Sequence, residues 1–183
     1  MSSFPAELTG SYTVDDSHSS VGFVARHAMV TKVRGKFNEY SVNFTLDADN
    51  PENSSAKVEI QVASVDTGNE QRDGHLRTNE FFDLENYPTI NFESTSIKQT
   101  GDDSFDVTGN LQIKDVTKEI TIPFTFEGQV TDPWGNLRVG FEGGVDVNRK
   151  DWNIVWNNPL DGGGVLVGDK VRLEFDLSAV KNA

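Results

Sequence analysis

Leu137-Arg-Val-Gly-Phe-Glu-Gly-Gly-Val-Asp-Val147 places Leu137, Val139, Phe141, Gly143, Val145 and Val147 in one phase, and Arg138, Glu142 and Asp146 in the other. Successive side chains of a strand point to opposite faces, so a period of two held over this length means a β-strand with one dry and one wet face. The same alternation runs through Phe105–Ile113, Ile120–Phe126 and Val171–Leu177. Shorter versions lie at Val21–Ala25, Val42–Leu46, Val58–Val62 and Ile90–Phe92, which makes about eight strands in all. Turn signals such as Asp49-Asn50-Pro51 and Gly101-Asp102-Asp103 separate most of them. Antiparallel strands with one consistently apolar face close into a barrel or stack as a sandwich. Long regular strands with interior glycines favour the barrel, and eight strands leave room for packed side chains or one small ligand.

The alternation breaks in informative places. Val33, Gly35 and Phe37 are in odd phase while Tyr40, Val42 and Phe44 are in even phase, which predicts a bulge near Asn38–Glu39. Glycines at 109, 128, 140 and 143 permit tight coiling, and the inward-phase Gly109 and Gly143 predict a hollow interior. Pro123 removes a ladder donor, so it is expected at a bulge or where neighbouring strands splay apart. Thr67-Gly68-Asn69-Glu70 reads as a capping box opening a short helix through about Arg77, followed by a turn at Phe81-Phe82-Asp83. That segment is expected to cover an end of the barrel with Leu76, Phe81 and Phe82. Asn148–Gly164, with Trp152 and Trp156, reads as a long structured loop at one end.

Composition narrows the chemistry. The 183 residues contain no cysteine, which excludes disulfides, thiolate metal sites and cysteine nucleophiles. Sixteen basic against 29 acidic residues give a net charge of −13, unfavourable for nucleic acid and for anionic surfaces at large. No apolar run approaches the ~18 residues of a membrane span. Met1-Ser-Ser-Phe-Pro-Ala-Glu7 has no basic start followed by an apolar run, so the expected compartment is the cytoplasm. No linker divides the chain, and one domain over residues 1–183 is expected, with an ordered core from about 10 to 180.

Most reactive-site patterns fail on inspection. Gly163–Gly168 opens like a phosphate loop, but Asp169 stands where lysine is needed and a strand follows. Asp47–Glu52 has carboxylates near calcium-loop spacing, yet Pro51 and a missing turn glycine make it an acidic hairpin turn. His18, His27 and His75 are scattered, and no metal or cofactor is expected. Asp15-Asp16-Ser17-His18-Ser19 holds the residue types of a triad, but sequence neighbours rarely align as one. His27 shares the phase of Val21, Phe23 and Ala25, so its imidazole is expected inside, held by a backbone partner or touching a ligand's polar end.

Several segments in order resemble the YceI-like family. They are Ser20–His27, Val33–Phe37, Ser64–Gly68, Arg72–Arg77, Phe81–Asp83, Tyr87–Ser94 and Gly109–Lys118, with Asp132–Gly135 and Asn148–Asp151 as later landmarks. The resemblance runs from about Tyr12 to Val180. It implies an all-β, eight-stranded antiparallel lipocalin-like barrel with a short helical segment between strands and a long hydrophobic tunnel. It further implies binding of polyisoprenoids or related amphiphiles such as isoprenoid quinones and fatty amides, and a homodimer as a recurrent assembly. Many such proteins are exported, whereas this sequence begins directly at the domain.

The combined reading is a non-enzymatic protein that sequesters a long isoprenoid or acyl lipid. The expected contacts are Phe23, His27, Phe37, Phe44, Ile60, Leu76, Phe81, Phe92, Leu111, Ile113, Phe124, Phe126, Phe141 and Trp152. Each methylene removed from water is worth ~0.8 kcal/mol, so a chain of about 20 carbons gains at most ~16 kcal/mol. Association and ordering cost about 4–15 kcal/mol, which leaves micromolar-to-nanomolar binding without a charged clamp. Two other readings fit the same composition: a filled barrel acting through its surface, and a hydrolase or isomerase using His27 or His75 with a nearby carboxylate.

Overall fold

The computed structural model describes residues 5–160 and 164–183. Among these residues the strands are β1 (Gly10–Val14), β2 (Ser20–His27), β3 (Thr31–Phe37), β4 (Tyr40–Leu46), β5 (Ser55–Gln61) and β6 (Val65–Asp66). A helix α1 (Glu70–Arg77) precedes β7 (Thr89–Gln99), β8 (Ser104–Ile113), β9 (Val116–Thr131), β10 (Leu137–Asn148) and β11 (Val167–Lys181). All pairings are antiparallel, and the ring β1-β4-β5-β7-β8-β9-β10-β11 closes through Tyr12↔Lys181 and Val14↔Ala179. The expected eight-stranded barrel is therefore present.

Three of the eight staves are broken in two. β1 and β2 both lie against β11, at residues 179–181 and 167–176 respectively, with a 3₁₀ turn at Asp16–His18 between them. β3 and β4 likewise continue one another around Asn38 and Glu39. The phase change there is a full break rather than a bulge, and both flanking groups find new partners: Asn38 N–H donates to Ser64 O and Gln61 N–H to Glu39 O. β6 extends β5 by pairing with β3 through Phe37↔Val65. A true bulge lies at Glu127–Gly128, where the β9–β10 register slips and Gly128 has φ +126°, a value favouring glycine.

Pro123 lies where the strands splay. The β9–β10 ladder ends at Phe124↔Gly143, so from Pro123 back to Val116 β9 pairs only with β8. The opening is filled from the loop after β10, where Arg149–Trp152 form a 3₁₀ turn. Trp152 is fully buried and donates its indole N–H to Leu111 O at 2.9 Å. Arg149, also buried, holds this loop to the start of β11 by donating to Gly168 O at 3.0 Å and Ile154 O at 2.8 Å.

The helical segment caps the same end. α1 starts at Asn69, whose side chain accepts from Arg72 N–H at 2.9 Å, rather than at the expected Thr67. Thr67 pairs with Asp73 instead, its N–H and hydroxyl both donating to the buried carboxylate at 2.8 and 2.6 Å. Asparagine is as good a cap as threonine, and Gly68 at φ +80° turns the chain so that Asn69 meets the helix first. Phe82 then packs against Phe23 and Phe37, and Phe81 is buried against Trp156. Among the described residues no helix is long and apolar enough to cross a membrane. Met1–Phe4 and, within the triple glycine, Gly162 and Gly163 lie outside the described residues.

Candidate lipid-binding site

Inside the ring lies an apolar cavity of about 120 Å³. Six of the fourteen expected contacts line it: Phe44, Ile60, Phe92, Leu111, Phe124 and Phe141. Phe105, Ile122, Leu173 and Phe175, from the same alternating phases, line it too and belong with that set. Phe124, Phe141, Leu173 and Phe175 face inward yet keep accessible surface, so the lumen is not sealed by packing. Phe141 sits at its aromatic centre, 5.7 Å from Phe44, 6.3 Å from Phe105 and 5.4 Å from Phe126 between ring centroids.

The inward glycines do not make the interior hollow. A side chain at Gly143 would run into the ring of Phe124, one at Gly109 into that of Phe92, and one at Gly35 into that of Phe23. Each missing Cβ admits a neighbouring phenyl ring, the packing known for glycines beside aromatics on adjacent strands. The lumen is therefore narrower than the expected long tunnel. Its volume resembles the ~150 Å³ of an engineered apolar cavity that stays dry and admits benzene.

A second, larger chamber of about 600 Å³ opens at the end carrying α1. It is lined by Phe23, Ala25, Arg26, His27, Arg72, His75, Leu76, Phe81 and Trp156, among others. Phe23, His27, Leu76 and Phe81 of the expected set fall here. His27 lies in the expected phase but is exposed, because β2 has run beyond the closed ring by that point and its last residues form the rim. It is not the buried luminal imidazole that alternation predicts. His75 packs edge-on against Phe81 and Trp156, with centroids 5.0 and 4.6 Å away, and its Nε2 lies 3.1 Å from Glu80. Arg72 is fixed by donating Nε–H and an Nη2–H to the Thr67 hydroxyl and carbonyl.

Phe23 separates the chambers. Its ring lines the mouth, while its cross-strand partner Leu173 lines the lumen. With Phe37 and Phe82 at centroid distances of 5.8 and 6.5 Å it forms an aromatic partition. Phe37, Ile113, Phe126 and Trp152 line neither chamber. Phe37 belongs to the partition, Ile113 is core, Phe126 backs Phe141, and Trp152 is the stopper over Leu111.

The profile of the YceI-like domain matches residues 12–179. The chain belongs to the YceI-like family. Among curated relatives the UPF0312 protein of Azotobacter vinelandii is 40% identical over 149 residues, covering 80% of this chain and 78% of its own. The UPF0312 protein of Pseudomonas aeruginosa strain LESB58 is also 40% identical over the same span. Burkholderia cenocepacia BcnA superposes with a TM-score of 0.80 at 27% identity, covering 90% of this chain and 98% of BcnA. A domain from Saccharophagus degradans described as polyisoprenoid-binding shares the fold, with a TM-score of 0.70 at 16% identity over 93% and 98% of the two chains.

Serine, histidine and carboxylate of this YceI-like chain come together in the turn after β1. Ser17 Oγ donates to Asp15 Oδ1 at 2.6 Å, and His18 Nδ1 lies 3.0 Å from Ser17 Oγ and 2.9 Å from Asp15 Oδ2. A relay needs the nucleophile and the orienting carboxylate on opposite ring nitrogens. Here both share Nδ1, and the group is a polar turn. Asp15 also accepts from Arg138 Nη1 at 3.0 Å, and Arg138 Nε donates to Asp132 at 2.9 Å, which clamps the outside of the β1–β11–β10 seam. The hydroxyl of Ser17, then His18 and Arg138, hold the Asp15 carboxyl well below the usual carboxylate range.

Proposed function

We propose that this barrel binds one long apolar lipid, an isoprenoid or acyl chain, with its tail in the lumen and its polar end in the mouth chamber, and does not transform it. The observation carrying this reading is the lumen wall, which is built almost wholly from aliphatic and phenyl groups and is parted by the Phe23 ring from a chamber bearing Arg26, His27, Arg72 and His75. Such a wall makes few directional demands and rewards length by area alone. The polyisoprenoid binding described for the Saccharophagus degradans domain supports the same cargo class here.

The size of the lumen sets a condition on this reading. A cavity of about 120 Å³ holds only a short segment of such a chain. Loading then requires the rings of Phe23, over Gly35, and Phe124, over Gly143, to change rotamer, so that the two chambers become one channel. Aromatic rings resting on glycine are suited to this, since no Cβ beneath them blocks the swing.

Titration of lipid-stripped protein with a polyprenyl alcohol tests the reading through the indole emission of Trp152 and Trp156. Saturation at one lipid per barrel, with the lipid retained through gel filtration, is the expected result. The absence of both saturation and retention would refute it.

A further inference from the structure

The net charge of −13 hides one segment of opposite sign. From Ser17 to Asn38 there is no carboxylate, while Arg26, Lys32, Arg34 and Lys36 all fall there. β2 and β3 form a hairpin whose register puts Arg26 directly opposite Lys32, with Val24 opposite Arg34 and Gly22 opposite Lys36. All four cations are exposed, and Lys32, Arg34 and Lys36 alternate along one face of β3. Arg34 has an ion pair, with Glu174 at 3.6 Å, and Lys36 lies near the Asp66 carboxylate. Like charges directly opposite on an antiparallel pair destabilise it. The fold thus carries an electrostatic cost at Arg26–Lys32 that no packing need requires.

The tip of the hairpin carries a second cost. Ala28 and Met29 have φ of +49° and +66°, and Val30 N–H closes the turn on His27 O. Two central residues at positive φ call for Asn-Gly, and side-chain-bearing residues there are strained. What the strained turn presents is apolar: Met29 is 62% exposed and Val30 75%. Both project beside the mouth chamber, since Ala28 N–H donates to Leu166 O and Val167 pairs with His27. Lysines that merely guarded a sheet edge would need neither a hydrophobic tip nor a strained turn.

We infer that the β2–β3 hairpin docks the barrel on an anionic lipid bilayer. Met29 and Val30 enter the headgroup–acyl boundary, while Arg26, Lys32, Arg34 and Lys36 meet the negative surface, which brings the mouth against the membrane. The rest of the chain does not prevent this, because charges beyond about 8 Å are screened at physiological ionic strength. A nucleic acid would use the cations but leave the apolar tip without purpose. Each basic residue near an anionic membrane surface is worth roughly five-fold in partition.

Co-sedimentation of the full chain with mixed phosphatidylcholine–phosphatidylglycerol vesicles, against pure phosphatidylcholine, tests the assignment. The readout is vesicle binding and needs no cargo, so it stands or falls separately from lipid sequestration. Wild type is expected to bind the anionic vesicles, to ignore the neutral ones, and to be released by high salt. Arg26→Gln with Lys32→Gln should weaken binding about 25-fold, two cations at five-fold each. That variant should melt at or above the wild-type temperature, because the like-charge pair is gone. Met29→Ser with Val30→Ser should also release the protein, with its charge unchanged. Equal binding by wild type and the Met29/Val30 variant would overturn the inference, as would wild type that does not sediment. Salt-sensitive self-association without vesicles would assign the stripe to the acidic surface of a second copy instead.

Discussion

Phe23 and Gly35 stand opposite each other across the β2–β3 ladder, and the phenyl ring fills the space that any side chain at position 35 would need. The same residue partitions lumen from mouth, so one cross-strand pair couples the packing of the barrel to access into it.

Gly35→Ala should therefore act on both. The new methyl overlaps the ring, and overpacking of this kind costs about 1–3 kcal/mol. Chemical denaturation should show that loss. Phe23→Leu in the same chain should recover part of it, giving a non-additive double-mutant cycle.

Phe141→Ala should separate stability from capacity. Removing the ring at the centre of the Phe44–Phe105–Phe126 cluster costs about 3–5 kcal/mol and leaves a larger apolar lumen. Uptake of a short apolar probe should rise while the melting temperature falls. A parallel loss of both would show that the lumen wall does not set capacity.

Trp152→Phe keeps most of the buried volume but leaves Leu111 O without its indole donor. Leu111 also sits in the β7–β8–β9 ladder, so the loss is that of one net hydrogen bond, about 0.5–1.5 kcal/mol. Hydrogen exchange should quicken first at the Leu111 end of β8, where the loop stopper sits.

The seam clamp should appear in acid. Asp15 is held below the carboxylate range by Ser17, His18 and Arg138, and Asp132 by the backbone N–H of Asn136 and by Arg138. A depressed folded-state pKa contributes stability that is fully present above the unfolded value of about 3.9 and is lost as pH falls through the lower folded value. Unfolding measured from neutral pH downward should therefore hold steady and then decline below about pH 4. Asp15→Asn should flatten that decline by lowering stability at neutral pH toward its acid value, because the charge that Ser17, His18 and Arg138 hold is gone.

His27→Phe should leave the fold intact, since the ring lies at the rim rather than in the core. Competition between a prenyl alcohol and a hydrocarbon of matched length is expected to shift toward the hydrocarbon in this variant. An unchanged ratio would remove His27 from the site.

Legibility followed the reach of each signal. Period-two alternation depends only on which face is dry, so β7 to β11 could be read directly, while Pro123 was narrowed to a bulge or a splay and the end of the β9–β10 ladder decides for the splay. The two-residue β6 is too short to show any period, and the break at Asn38–Glu39 differs from a bulge only in where its backbone groups find partners. Gly109 and Gly143 were misleading because a missing side chain looks the same whether emptiness or a neighbour's ring lies above it. His27 kept the predicted phase but not the predicted burial, since alternation says which way a residue points and not where the barrel ends. Arg149 left no trace beyond its place in Asn148–Asp151. A charged residue that is buried to satisfy carbonyls cannot be told from an exposed one by type alone.

The most direct test of the central claim is mass spectrometry of organic extracts from protein purified without detergent. The barrel is expected to yield a long-chain isoprenoid or acyl lipid near one per chain, reduced in Phe141→Asp, where a carboxylate would stand in the lumen. An extract containing no such lipid above the background of an unrelated protein, from barrels that also fail to take one up when offered it, would contradict the account.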